Sequence, residues 1–225
     1  MSKFDLIYNQ LHNSFAPQGW WPLTVEGFEP KHHAGKPKND KHRFEVVAGA
    51  ILTQNTNWKN VEKALYNLSK NNLLDADKIK KTDVRKIAGL IRPAGYYNQK
   101  AERLKIAADF FLKNKNPTRE QLLNVKGIGP ETADSILLYA LNRPVFVIDA
   151  YTKRLFSRML GVDFKNYNLW QDFFHENLGD IEKKTEIFNE FHALIVEHCK
   201  NVCRKNPICG RCLLNSICKT KIPNA

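Results

Sequence analysis

Apolar residues recur at spacings of three and four along almost the whole chain, and that single pattern excludes most folds. It marks amphipathic helices over 3–14, 44–56, 58–70, 82–91, 98–113, 118–124, 130–141, 150–160, 167–177 and 183–199. Local chemistry agrees. Thr118 and Gln121 have the spacing of a capping box, Pro130 suits a first helical turn, and Pro93 and Gly95 punctuate the chain between two helices. No run alternates as paired strands do. The one β-like stretch, Val145-Phe146-Val147-Ile148, has nothing to pair with and reads as a buried extended connector that delivers Asp149 to a particular place. The fold class expected is therefore all-α. Residues 29–42, EPKHHAGKPKNDKH, are polar and rich in Pro, Gly and Lys, and read as a surface loop.

A length of 225 residues allows one large domain or two small ones. Lys and Arg number 35 against 23 acids, a net charge of +12. That excess points to a polyanion, nucleic acid first, with a merely soluble basic protein as the alternative. The charge is uneven. One concentration holds Lys31, Lys36, Lys38, Lys41 and Arg43; another holds Lys200, Arg204, Lys205, Arg211, Lys219 and Lys221 with no acid between them. These stretches are the first candidates for phosphate contacts. Every apolar run falls far short of the ~20 residues a membrane span needs. The opening MSKFDLIYNQ lacks the apolar centre of a signal peptide. The expectation is an intracellular protein with no membrane partner.

All five cysteines lie between 199 and 218, spaced Cys199-x3-Cys203-x5-Cys209-x2-Cys212-x5-Cys218. A disulfide framework spreads its cysteines; so tight a group reads as a metal centre. Four thiolates suit either zinc or a [4Fe–4S] cluster. A zinc ribbon offers two C-x2-C knuckles and this sequence has one, which favours the cluster, held by Cys203, Cys209, Cys212 and Cys218. Cys199, at the end of a helix, is the candidate free thiol.

Residues 122–141, LLNVKGIGPETADSILLYAL, contain a second dense signal. A short helix ends near Val125, Gly127-Ile128-Gly129 makes a tight turn, and Pro130 opens a new helix. Both glycines permit positive φ and close backbone approach. The N–H groups of such a turn and helix start can hold a phosphate oxygen without regard to base sequence. Lys126, Gly127, Ile128, Gly129, Glu131 and Thr132 are the candidate DNA-side residues. A plain helix–turn–helix connection is the alternative. Asp149, after its apolar run and before AYTKRLFSRML, suits a helix N-cap, where the helix dipole keeps a carboxylate ionised.

The hairpin, the Val147-Ile148-Asp149 beyond it and the terminal cysteines together resemble the endonuclease III branch of the helix-hairpin-helix DNA glycosylases. Ala48-Gly49-Ala50-Ile51-Leu52-Thr53-Gln54-Asn55-Thr56 and Gly95-Tyr96-Tyr97-Asn98-Gln99-Lys100-Ala101 belong to the same resemblance, which covers nearly the whole chain from about residue 44. Trp20-Trp21-Pro22, and Leu52 to Thr56 with Trp58, are most similar to the 3-methyladenine DNA glycosylase III type. One departure is the cysteine spacing of five, two and five, where the commonest family spacing is six, two and five.

The resemblance implies a two-lobed fold. A six-helix lobe at 43–144 would contain the hairpin, residues 1–42 and 145–225 would form a second lobe with the cluster, and DNA would lie in the groove between. It implies a monomer that flips a damaged base out of double-stranded DNA. Gln54 would fill the vacated stack, and Tyr96 would wedge the opposite strand. Trp20, Trp21, Pro22 and Trp58 would line the base pocket, although tryptophans also suit a core. Asp149 would stabilise the positive charge that develops on the sugar and orient water. Bifunctional relatives carry a lysine where this chain has Glu131. Glutamate forms no Schiff base, so the reaction should end at an abasic site. The tryptophans favour an alkylated purine such as 3-methyladenine, a cation that electron-rich rings hold well. The rival readings are a glycosylase for mispaired uracil or thymine, deaminated or oxidised bases, and a DNA-binding module without catalysis.

Overall fold

The computed structural model describes residues 2–179 and 182–220; Lys221 of the second basic stretch lies outside them. Eleven α-helices form among the described residues: α1 (Lys3–Phe15), α2 (Asp40–Leu52), α3 (Trp58–Lys70), α4 (Ala76–Lys81), α5 (Val84–Leu90), α6 (Tyr97–Lys113), α7 (Arg119–Leu123), α8 (Pro130–Ser135), α9 (Ala150–Leu160), α10 (Tyr167–Leu178) and α11 (Lys184–Asn201). No strand occurs among them, only an isolated bridge between Leu23 and Lys31. The all-α class follows from the periodicity, as expected.

The chain divides into two compact units. Gly19–Arg143 makes one; the residues before Gly19 join those from Pro144 onward in the other. The sequence expectation assigned 19–42 to the cysteine-bearing lobe, but this stretch packs with Gly19–Arg143. The bridge Leu23–Lys31 folds it back on itself, and buried Glu45 of α2 accepts from Thr24 N at 2.9 Å and Thr24 Oγ1 at 2.6 Å. The expected loop at 29–42 also ends early. Asn39 accepts from His42 N at 2.9 Å and caps α2 at Asp40.

The first unit has seven helices rather than six. The added one, α4, begins at Asp75, whose carboxylate accepts from Asp77 N and Lys78 N. Its sequence ADKIKK buries only Ile79, too little apolar content to register as periodicity. The helix expected at 130–141 also changes character. After α8 the chain makes a π-helical turn over Ile136–Ala140, closed by Leu141 N donating to Ile136 O at 3.1 Å. Arg119 of α7 clamps this region by a two-pronged bond to buried Asp134 of α8, Nε–Oδ1 2.7 Å and Nη2–Oδ2 3.1 Å.

Lys100 is the unusual group in this unit, a lysine with 1% of its surface exposed. Its Nζ donates to Leu52 O and Ala94 O, each at 2.8 Å, and so ties the end of α2 to the turn before α6. Burial, with Arg103 nearby, lowers its pKa to about 8.

In the second unit a core of aromatic rings surrounds the connector. Phe4 of α1 meets Phe156, Phe173 and Phe174, and Phe146 stacks on Phe174 at 4.3 Å while also touching Phe188 and Phe191. Residues 146–148 are buried and lie in no helix or strand. Their polar backbone is served by side chains: Ile148 N donates to Tyr167 Oη at 3.1 Å, and Gln171 Nε2 donates to Phe146 O. The connector thus needs no strand partner.

Replacing Lys100 by Met should cost about 3 kcal/mol, because two buried carbonyls lose their donor. The folded-state pKa lies below the unfolded one. Between about 8 and 10.5 the unfolded chain therefore holds the proton that the folded chain has lost. Across that window wild-type stability, measured by urea melts against Lys100→Met, should rise with pH. A pH-independent difference would refute the assignment.

Candidate functional site

The hairpin takes the expected form with two differences. Gly127 has φ +91°, and a Cβ there would sit 2.6 Å from Arg103 Cδ and Cγ, so only glycine fits. Gly129 does not use this freedom; its backbone is extended at φ −93° and ψ 179°. Its hypothetical Cβ meets nothing within 4 Å, which leaves the start of α8 open to close approach. Ile128 N donates to Val125 O at 3.0 Å, so this N–H closes the turn instead of facing a ligand. The Ile128 side chain is buried, and Lys126 and Glu131 are exposed.

Gln54 is bound to this hairpin. Its Nε2 donates to Gly127 O and to Oγ1 of buried Thr132, both at 3.0 Å, and its Oε1 accepts from Arg103 Nη1 at 2.5 Å. The expected role of Gln54 is to fill the vacated stack; in the structure without DNA its amide braces the turn. Tyr96 stands differently. It is 67% exposed and takes a left-handed backbone, φ 46°, immediately before α6. An exposed aromatic ring held by so uncommon a backbone is placed to meet something outside the fold.

The tryptophans assemble in the same unit. Trp20 and Trp58 have centroids 4.7 Å apart, Trp20 and Trp21 5.6 Å, Trp21 and Trp58 5.3 Å. Tyr139, on the π-helical turn, adds a fourth ring 5.2 Å from Trp21, and His32 stands 5.2 Å from Trp20. Pro22 is buried beside them in sequence. Gly49 makes room for the group, because a Cβ there would lie 2.9 Å from Trp21 Cζ2. The indole nitrogens of Trp21 and Trp58 are buried with no hydrogen-bond acceptor among the described residues, which is costly unless something supplies one. Tyr139 and His32 escaped the sequence reading: a tyrosine within an apolar helix and a histidine in a polar loop carry no signal of their own.

In the other unit Asp149 is the N-cap of α9, accepting from Thr152 N at 2.7 Å. His192 of α11 brings Nε2 to 3.5 Å from Asp149 Oδ2, and both side chains are 13% exposed. Burial pushes the Asp149 carboxyl up, but His192 and the Thr152 bonds together pull it down further, to below the ordinary carboxylate range. Asp149 is therefore a largely buried carboxylate held as an anion. His192 was not legible in the sequence, where it is one more residue on an amphipathic helix.

The same helix α9 grips the cysteine loop. Arg154 donates to Cys203 O at 2.8 Å and Cys199 O at 3.3 Å; Arg158 donates to Arg204 O at 2.7 Å, Lys205 O at 2.9 Å and Cys203 Sγ at 3.4 Å. Cys203, Cys209, Cys212 and Cys218 line one cavity, together with Leu155, Met159 and Pro207. Among the described residues no three His, Cys, Asp or Glu side chains close on a single ion position. Burial raises the pKa of Cys212 and of Cys218, and the neighbouring thiolates raise both further. Four cysteine sulfurs round one cavity, with Arg158 donating to Cys203 Sγ, fit the ligand set of a [4Fe–4S] cluster. Cys199 does not line this cavity. Its Sγ lies 3.6 Å from Tyr151 O, and a hydrogen bond with Cys203, reinforced by burial, keeps it a protonated thiol.

Residues 48–176 match the model of the HhH-GPD superfamily base excision DNA repair protein. The chain is 44% identical to a Methanocaldococcus jannaschii protein named among the DNA repair glycosylases, over 98% of this chain and 99% of the relative. It is similar to the crystal structure of Helicobacter pylori 3-methyladenine DNA glycosylase (MagIII) bound to 1,N6-ethenoadenine, with 30% identity, TM-score 0.70, and coverage of 89% of this chain and 98% of that one. A non-covalent endonuclease III–DNA complex shares the fold at TM-score 0.75 and 17% identity, over 97% and 96% of the two chains.

Removing the His192 ring leaves Asp149 buried without its main counter-interaction. In His192→Ala the Asp149 carboxyl should titrate at higher pH than in the wild type, as followed by 13C NMR of labelled aspartate. An unmoved midpoint would show that His192 does not hold the anion.

Proposed function

Since the chain belongs to the HhH-GPD superfamily of base excision DNA repair proteins and is a DNA glycosylase, we propose that it removes an alkylated purine of the 3-methyladenine kind by hydrolysis alone. The observation that carries this reading is the ring cluster of Trp20, Trp21, Trp58 and Tyr139 with its two unpartnered indole N–H groups. A cationic base is attracted to the faces of such rings. The Helicobacter pylori relative, named for 3-methyladenine, was solved with another modified adenine, which supports the same substrate class.

DNA is bound without sequence preference through the hairpin, with Lys126, the backbone at Gly127 and Gly129, and the first turn of α8 facing phosphate. Ile128 serves by closing the turn, and Thr132 by holding Gln54 until DNA arrives. Tyr96 wedges the duplex as the base leaves the stack. Gln54, freed from the hairpin when DNA arrives, fills the space.

Asp149 does the chemistry. The N-glycosidic bond breaks with its electron pair leaving on the base, which in an alkylated purine is already positive and departs neutral. Positive charge then develops on the deoxyribose, and a fixed anion held by Thr152 N and His192 stabilises it without reorganising. Water adds at the anomeric carbon and loses a proton, leaving an intact abasic strand. Glu131, exposed in the first turn of α8, offers no amine to attack the sugar.

Cys203, Cys209, Cys212 and Cys218 hold a [4Fe–4S] cluster in this reading. When bound, it supplies a rigid cross-link that shapes the basic loop carrying Arg204, Lys205 and Arg211. Arg154 and Arg158 join that loop to α9, the helix that Asp149 caps.

Asp149→Asn should abolish base release while duplex affinity stays within a few-fold of wild type; release at the wild-type rate would remove Asp149 from the mechanism. Duplexes carrying 3-methyladenine, 7-methylguanine, hypoxanthine, uracil and 8-oxoguanine should be assayed separately for release and nicking. Alkylated purines should be released fastest, with no strand cleavage and no adduct on borohydride treatment. A borohydride-trapped adduct would overturn the hydrolytic mechanism. Preferred release of uracil or 8-oxoguanine would move the enzyme to the mispair or oxidised-base class.

A further inference from the structure

His198 of α11 is wholly buried, yet the reading above gives it no task. Its backbone carbonyl accepts from Val202 N at 2.8 Å and Cys203 N at 3.0 Å, which fixes the residue at the root of the cysteine loop. Its ring lies edge-on to Phe15 at 6.0 Å, and its Nε2 stands 3.7 Å from Cys212 Sγ. Nδ1 is buried with no partner among the described residues. A buried imidazole with one ring nitrogen idle and the other directed at a sulfur is costly to keep unless that sulfur repays it.

We propose that His198 is a positioning residue for the iron–sulfur centre: with Nε2 protonated it donates a hydrogen bond to the Cys212 thiolate and raises the reduction potential of the bound cluster. The inference rests on the cluster reading. The ring proton belongs on Nε2 because the Cys212 sulfur is the one acceptor the ring meets among the described residues. A donor on a ligating sulfur stabilises the more reduced, more negative state more strongly, so it raises the potential. Arg158 donates to Cys203 Sγ, so two of the four sulfurs have a protein partner, one from α9 and one from α11.

The test uses the full chain purified anaerobically with iron and sulfide, and compares wild type, His198→Phe and His198→Gln by protein-film voltammetry and visible absorption. Phe fills the space without a donor; Gln places an amide N–H near Nε2. His198→Phe should shift the reduced-to-oxidised ratio at fixed potential about tenfold toward oxidised, equal to about 59 mV for a one-electron couple. His198→Gln should recover most of that shift. An unchanged potential in a loaded His198→Phe overturns the proposal and leaves the cluster in place. If His198→Phe does not load, wild-type protein carrying 15N-histidine decides. A hyperfine coupling between one ring nitrogen and the paramagnetic cluster supports the bond, and its absence overturns it. A wild type that binds no iron and sulfide overturns the cluster reading and this inference with it.

Discussion

The second unit depends on how α9 is held at both ends. At its start Asp149 accepts from Thr152 N, a cap that makes the helix and immobilises the carboxylate in one stroke. Farther along, Arg154 and Arg158 reach the backbone of the cysteine loop. The connector at residues 145–148 can feed Asp149 into this position only because Tyr167 and Gln171 satisfy its buried backbone in place of a strand.

The Gly19–Arg143 unit solves a comparable problem with neutral and cationic donors. Lys100 donates to Leu52 O at the end of α2 and to Ala94 O, while Arg103 holds the Gln54 amide that in turn donates to Gly127 O in the hairpin. The tight packing of Arg103 against Gly127 makes glycine obligatory at that one position, whereas Gly129 keeps space open instead of adopting a left-handed backbone. Two glycines in one short motif thus serve different physical ends.

Much of this was legible in sequence. Periodicity located ten helices and missed α4, whose six residues bury a single isoleucine. The capping box at Thr118, the Pro130 helix start and the Asp149 cap were all visible, because each rests on residues within four positions of one another. The boundary after Gln18 was not. The attachment of 19–42 depends on Thr24 meeting Glu45 and on Trp21 meeting Gly49, pairings that leave no periodic trace. The π-helical turn that carries Tyr139 left no trace either.

What the sequence by itself determined was local: the all-α class, the hairpin, the helix cap at Asp149 and four cysteines spaced to surround one centre. These depend on short-range hydrogen bonds, backbone freedom and ligand spacing, which are written in consecutive residues. Only the tertiary structure decided that His192 faces Asp149, that Gln54 braces the hairpin, that three tryptophans and Tyr139 share one cluster, and that His198 points at Cys212. Each of those contacts joins side chains from separate helices or loops. Their meeting is set by how amphipathic faces pack, and a single sequence records the faces but not their partners.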